Sequence, residues 1–216
     1  MSQDFTGKTA LVTGGNSGIG RVVATQLAER GAHVIITGRD AGRGAEVVKT
    51  IHAAGGTADF LSVDLSDTAS VHKLAKEAVA LGGGHVDILI NNAAIFPFAP
   101  TAQVSEGDFD SVFAINVKAP FYLVAELAPA MAERGYGAIV NITTMVASFG
   151  LAGMSLYSSS KAALQLLTKS WAAEFGPKGV RVNAVSPGPT RTEGSLIMGE
   201  ALDQMAATTP AGRPST

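Results

Sequence analysis

The sequence predicts a three-layer α/β fold, a doubly wound parallel sheet with helices on both faces, and three observations predict it. From Lys8 onward, short apolar runs alternate with longer stretches of helical periodicity, separated by turns rich in Gly, Asn, Asp and Pro. Hydrophobic residues make up 46% of the chain and charged ones only 16%. Strands buried on both faces, as in a parallel sheet, need that composition. Finally, no internal repeat, low-complexity tract or linker divides the 216 residues, so a single domain over 1–216 is expected.

The elements follow in order. A first strand is expected at 9–13 and a helix at 18–30, opening on glycines. Strand 33–37 (His-Val-Ile-Ile-Thr) leads through Asp40 to helix 41–54, and strand 58–63 to helix 70–81. Gly82-Gly83-Gly84 reads as a flexible loop before strand 87–91. A long helix over about 108–134, strand 138–142, helix 155–175 and strand 181–185 complete six strands, with right-handed crossovers. The end, 209–216, is turn-like and carries no further apolar strand.

Composition excludes several functions. The net charge is −2 with no block of Lys or Arg, so no nucleic-acid partner is expected. There is no cysteine, and the histidines at 33, 52, 72 and 85 lack metal-ligand spacing, so no metal is expected. Met1-Ser2-Gln3-Asp4-Phe5 has neither a basic nor an apolar segment, and no later apolar run approaches the length of a membrane span. No membrane partner and a cytoplasmic location are therefore expected.

Thr13-Gly14-Gly15-Asn16-Ser17-Gly18-Ile19-Gly20 follows the first strand and opens the first helix. Glycines there allow close backbone approach, and a helix N-terminus attracts pyrophosphate. This context makes the sheet Rossmann-like and Gly14, Asn16, Ser17, Gly18, Ile19 and Gly20 candidate dinucleotide ligands. An acidic residue that would bind the adenosine ribose is expected about 20 positions on. That stretch reads Thr37-Gly38-Arg39-Asp40, and Arg39 offers a charged fork suited to a 2′-phosphate. NADP(H) is favoured and NAD(H) remains possible, because Arg39 also reads as a solvated loop charge and Asp40 as a helix cap.

Tyr157 and Lys161 stand four apart at the start of the helix expected at 155–175, on one face. Free tyrosine titrates near pH 10, so a nearby ammonium is needed before a phenol exchanges protons efficiently.

In combination these segments resemble the classical short-chain dehydrogenase/reductase family. Thr13 to Gly20 matches its TGxxxGxG loop, Tyr157 and Lys161 its YxxxK pair, and Asn91-Asn92-Ala93-Ala94 its NNAG segment. Asn116 in Ile115-Asn116-Val117 matches the catalytic asparagine, and Pro187-Gly188 the turn after the sixth strand. The resemblance implies Tyr157 as general acid in carbonyl reduction and base in alcohol oxidation. Lys161 would lower its pKa and hold the nicotinamide ribose, with Asn116 in a water relay. Asp64 and Leu65 would frame the adenine, and Asn91 and Ala93 would contact the adjoining ribose. Pro187, Gly188, Thr190 and Thr192 would border the nicotinamide, Thr192 being placed for its carboxamide. By residue type alone Asp64 also reads as a helix cap and Asn91 as a tie between strands.

The chain departs from the family in two places. Thr144 stands thirteen residues before the tyrosine, where the family has serine. Its hydroxyl keeps the donor and acceptor, and its methyl stiffens the rotamer; Ser148 and Ser155 are alternatives off the spacing. Ala94 replaces the motif's glycine. The resemblance also implies that the chain stops short of a final helix and a seventh strand, which would weaken an expected homo-oligomer.

The expected function is an oxidoreductase moving a hydride between NADP(H) and a small-molecule carbonyl or secondary alcohol. Met145, Val146, Phe149, Leu151, Phe96 and Phe98 are candidate lining residues, and 193–205 a mobile wall. The other reading is a dinucleotide-binding sensor or scaffold without turnover.

Overall fold

The computed structural model describes residues 4–215, so the Met1 to Gln3 start read above and the final Thr216 lie outside the described residues. The elements are β1 (Thr9–Val12), α1 (Gly18–Glu29), β2 (His33–Gly38), α2 (Ala41–Ala53), β3 (Thr57–Ser62), α3 (Thr68–Leu81) and β4 (Ile88–Asn91). They continue through α4 (Glu106–Phe113), a π turn (Ala114–Lys118), α5 (Ala119–Glu133), β5 (Gly137–Ile142), α6 (Ser155–Phe175), β6 (Val180–Val185) and α7 (Glu200–Ala207).

The six expected strands form one parallel sheet in the order β3-β2-β1-β4-β5-β6. Strand order reverses between β1 and β4, which opens a crevice beyond their carboxyl ends. Val12 pairs with Ile36 on one side and Ile90 on the other, so the chain leaves all three strands at one level.

Successive strand residues enter opposite cores. Ala10, Val12, Val34 and Ile36 pack with Ala24, Ala28, Val47 and Ile51 from α1 and α2. Leu11, Ile35, Leu89 and Ile139 pack on the other face with Leu74, Leu123, Leu127 and Trp171 from α3, α5 and α6. Burial on both sides is why the strands read as unbroken apolar runs.

Four expectations shift. Helix α3 begins at Thr68 rather than 70, because the Asp67 carboxylate accepts from the amides of Ala69 (3.3 Å) and Ser70 (2.9 Å). The long helix is one rod over 106–133 with a π turn inside it, capped where Ser105 Oγ accepts from the Asp108 amide at 3.1 Å. At 28 residues that rod is long and apolar enough to cross a membrane by length and composition, which corrects the expectation that no run approaches that length. Its apolar excess faces the core through Leu123, Val124, Leu127, Ala128 and Met131. Helix α7 lies within the segment expected only as a mobile wall, with Leu202 and Ala206 buried. The turn-like tail pairs with the segment after β6: Ser215 donates its amide to Pro189 O at 2.9 Å and accepts from Arg191 N at 2.8 Å.

Candidate active site

The crevice holds a cleft of about 780 Å³. At its centre the loop after β1 turns at Gly14 (φ +63°) and enters α1 at Gly18 (φ +51°), a left-handed conformation that favours glycine. The loop is braced from the β4 side. Asn92 Nδ2 donates to Thr13 O (2.9 Å) and Gly14 O (3.2 Å), while Thr13 Oγ1 accepts from the amides of Asn92 (2.9 Å) and Ala93 (3.0 Å). A Cβ at Gly20 would stand 2.4 Å from both Asn92 Nδ2 and Gly14 O, so this glycine keeps helix and brace together without itself lining the cleft. Gly14, Asn16, Ser17, Gly18 and Ile19 do line it.

At one end stand Thr37, Gly38, Arg39, Asp40, Arg43, Asp64 and Leu65. Asp40 caps α2, accepting from Arg43 N at 3.0 Å and Arg43 Nε at 2.8 Å. Asp64 accepts from the amide (2.9 Å) and hydroxyl (2.8 Å) of Ser66. The Ser66 amide and hydroxyl, then the Arg39 charge, hold its carboxyl below the usual range. Asp64 is thus both a turn-former and a cleft-lining acid. The Thr37 hydroxyl, also on the cleft, is buried with no hydrogen-bond partner. A glycine-lined helix N-terminus, two arginines and an orphaned hydroxyl fit an adenine dinucleotide phosphate.

At the other end Thr144, Tyr157 and Lys161 converge. Both Tyr157 and Lys161 project from the first turns of α6. Lys161 is only 2% exposed, and its Nζ donates to Ile142 O at 2.7 Å. Burial lowers it to about 8. Burial pushes the Tyr157 phenol above its ordinary value near 10, and a hydrogen bond with the Thr144 side chain pulls in the opposite sense. The Lys161 ammonium is turned to the Ile142 carbonyl, and the Thr144 hydroxyl opposes the effect of burial on the phenol.

Asn116 sits in the π turn, fully buried and off the cleft lining. Its Nδ2 donates to Ile95 O (2.9 Å) and Ser160 Oγ (3.0 Å), and its Oδ1 accepts from Ile95 N (3.0 Å). Ser160 Oγ in turn donates to Tyr157 O at 2.7 Å. The amide thus clamps the strand-exit segment to the Tyr157 turn. Asn91 Nδ2 donates to Asn141 Oδ1 at 2.8 Å, tying β4 to β5, while Asn92 and Ala93 face the cleft.

Pro187, Gly188, Thr190 and Thr192 line the cleft beside this end. So do Phe96, Met145 and Val146, with Ile95, Pro97, Met154, Ile197, Met198, Leu202 and Met205. Phe98, Phe149 and Leu151 stay outside the lining, as do Ser148 and Ser155; Ser155 Oγ meets Thr101 Oγ1 at 3.0 Å instead. Phe96 meets the Tyr157 ring edge-on, centroids 6.2 Å apart. Sequence reasoning missed Asn92, Arg43 and Ser160. Arg43, one turn beyond Arg39, had a usable signal in that spacing.

A family model described as short chain dehydrogenase matches residues 8–200. An oxidoreductase of Thermotoga maritima is 42% identical over 193 residues, covering 89% of this chain and 76% of that protein. A 2,5-dichloro-2,5-cyclohexadiene-1,4-diol dehydrogenase of Sphingobium indicum is 34% identical over 214 residues, covering 99% of this chain and 85% of its own. A crystal structure of an NAD(P)-dependent gluconate 5-dehydrogenase from Beutenbergia cavernae, with NADP bound at low occupancy, superposes with a TM-score of 0.92. Its identity is 37%, and the match covers 100% of this chain and 87% of that one.

Proposed function

The chain belongs to the short-chain dehydrogenase family, and from that premise we propose that this NAD(P)-dependent oxidoreductase uses NADP(H) to interconvert an uncharged, apolar carbonyl compound and its secondary alcohol. The observation that carries the reading is the convergence of Thr144, Tyr157 and Lys161 at one end of a single cleft, with the phosphate loop, Arg39 and Arg43 at the middle and far end. A sensor or scaffold without turnover gives way to an enzyme acting on CH–OH groups.

Support for NADP(H) is chemical. Arg39 and Arg43 supply permanent positive charge where the 2′-phosphate would lie. A carboxylate at 38 that would hold a ribose 2′-hydroxyl would have to displace the Asn16 amide, since a Cβ there would stand 2.4 Å from Asn16 Nδ2. Related structures with NADP bound support the same choice.

When bound, the nicotinamide supplies the hydride in reduction and accepts it in oxidation. The chain's residues manage the oxygen. In reduction Tyr157 donates its phenolic proton to the carbonyl oxygen, Thr144 holds that oxygen and the phenol together, and the Lys161 cation stabilises the phenolate left behind. Solvent then returns the proton; oxidation runs the same steps in reverse. Asn116 and Ser160 hold the turn that carries the phenol.

Two of the relatives with printed substrates differ in charge, a chlorinated ring diol against a sugar acid. Cleft chemistry favours the first. Around the phenol the wall is Phe96, Met145, Val146, Met154, Ile197 and Met198, and Lys161, which is buried, is the cation lining that end among the described residues. A carboxylate there would lose hydration against a largely apolar wall whose cation is buried and turned to the Ile142 carbonyl. A homo-oligomer is supported by the exposed Phe109, Phe121 and Leu166 on α4, α5 and α6.

The test follows NADPH loss with cyclic ketones and with the same skeletons carrying a carboxylate. Turnover of the neutral ketones, falling by about 10³ in Tyr157→Phe, is expected. Tight NADPH binding without turnover of any ketone would point back to the binding protein, and preference for the keto acids would refute the substrate class.

A further inference from the structure

The amide of Gly18, the first residue of α1, is already engaged. It donates to Glu193 Oε2 at 2.8 Å, and Arg21, one turn into the same helix, pairs with Glu193 Oε1 at 2.7 Å. Glu193 belongs to the segment after β6, 175 residues away in sequence. Its neighbour Thr192 packs on the same turn, with Cβ 3.2 Å from where a Gly18 Cβ would stand. A carboxylate from the substrate side of the cleft thus takes an N–H of the helix end that would receive pyrophosphate.

The segment that carries Glu193 is tied together internally. Ser195 Oγ accepts from Thr192 N at 2.8 Å and donates to Thr190 O at 2.8 Å, and Arg191 pairs with Asp203 of α7. Its polar links to α1, among the described residues, are the Glu193 contacts with Gly18 and Arg21. Ile197 and Met198 of this segment line the cleft, yet Ile197 is 89% exposed. Apolar side chains so placed gain cover only when the segment shifts toward a bound substrate.

We propose that Glu193 is a positioning residue whose carboxylate latches the 190–207 segment to the phosphate loop, and that the dinucleotide's pyrophosphate must expel it to bind. One N–H cannot serve both anions, and two anions in contact repel. Cofactor binding therefore frees the substrate-side wall at Glu193. The residue's own amide, then the Gly18 amide and the Arg21 and Arg43 charges, hold Glu193 below the usual carboxylate range, which keeps the latch charged at neutral pH.

The proposal rests on the dinucleotide reading of the cleft, and its test separates the two. Kd values for NADPH, ADP-ribose and adenosine are measured by calorimetry on the wild type, Glu193→Gln and Glu193→Ala, with hydrogen exchange of the 190–207 amides. Removing the charge is expected to tighten NADPH and ADP-ribose about tenfold and leave adenosine, which carries no pyrophosphate, within about twofold. Exchange over 190–207 should rise when NADPH is added to the wild type, and should already be fast in Glu193→Ala without it. Unchanged or weaker NADPH binding in both variants overturns the latch, as does tightening of all three ligands alike. Wild-type protein that binds none of the three overturns the dinucleotide reading itself. Melting curves identify a misfolded variant, and Glu193→Gln, which keeps the side chain's volume, then decides.

Discussion

The side-chain amide of Asn16 fills the space that a Cβ on Gly38 would need: its three terminal atoms lie 2.4–2.6 Å from that position, and its Nδ2 donates to Asp40 O at 3.2 Å. The cofactor preference proposed above would thus draw on two strand exits at once, β1 supplying the blocking amide and β2 the glycine that accepts it.

The relationship predicts that Gly38→Asp alone fails to convert the enzyme to NADH. An added carboxylate must push Asn16 off Asp40 O, at a cost of about 1–2 kcal/mol, and it stands beside Asp40 and Asp64. Lower stability and loss of efficiency with both cofactors are expected in the single variant. Asn16→Gly with Gly38→Asp should recover NADH turnover. Melting temperature and kcat/KM for each cofactor check this, and a single variant that turns over NADH well would refute the steric argument.

Arg39 lines the cleft and is free of any ion pair recorded among the described residues, whereas Arg43 is held by Asp40. Arg39→Ala is therefore expected to cost more than Arg43→Ala, lowering kcat/KM for NADPH by about 10–100-fold. NADH, lacking the 2′-phosphate, should change by less than about threefold. An NADPH-to-NADH efficiency ratio unaltered by Arg39→Ala would remove the basis for preferring NADP(H).

The sheet was legible because burial on two faces writes each strand as an apolar run, and the loop after β1 because glycines, helix start and strand end are all local. What escaped depends on direction or distance. Asn91 and Asn92 are adjacent, and the exit twist of β4 decides that Asn92 faces the loop while Asn91 turns to Asn141. Asn116 was found by its spacing, but its commitment to Ile95 and Ser160 requires the fold. Helix α7 is eight residues long and follows Gly199 at φ +50°, too short to show a repeat. No local pattern links Glu193 to Gly18.

Lys161 gives a stability prediction with a definite sign. Its folded value is about 8 against 10.5 for the free side chain, so the unfolded chain holds an extra proton between those values. Stability should rise with pH across that window, by up to about 3 kcal/mol, and lose that gain as pH falls through 8. Lys161→Met should flatten the rise, although the Ile142 carbonyl then loses its donor. Denaturant midpoints at pH 7 and pH 10 check it; equal slopes for the two proteins would mean that the ammonium is not desolvated in the fold.

Thr144 and Tyr157 make the sharpest test of the site, because two effects on the phenol oppose each other. Burial raises the phenol and Thr144 lowers it, so removing the hydroxyl leaves burial unopposed. Thr144→Val, nearly the same shape, should therefore move the phenol further up, visible as an alkaline shift in its ultraviolet titration. Oxidation, which needs phenolate, should suffer more than reduction, which needs phenol, with kcat/KM for the alcohol down by about 10²–10³. Thr144→Ser restores the donor and should recover most of the activity; its freer rotamer costs only a few-fold. A valine variant that keeps both its titration and its alcohol oxidation would show that Thr144 fills space and that another hydroxyl orients the substrate oxygen.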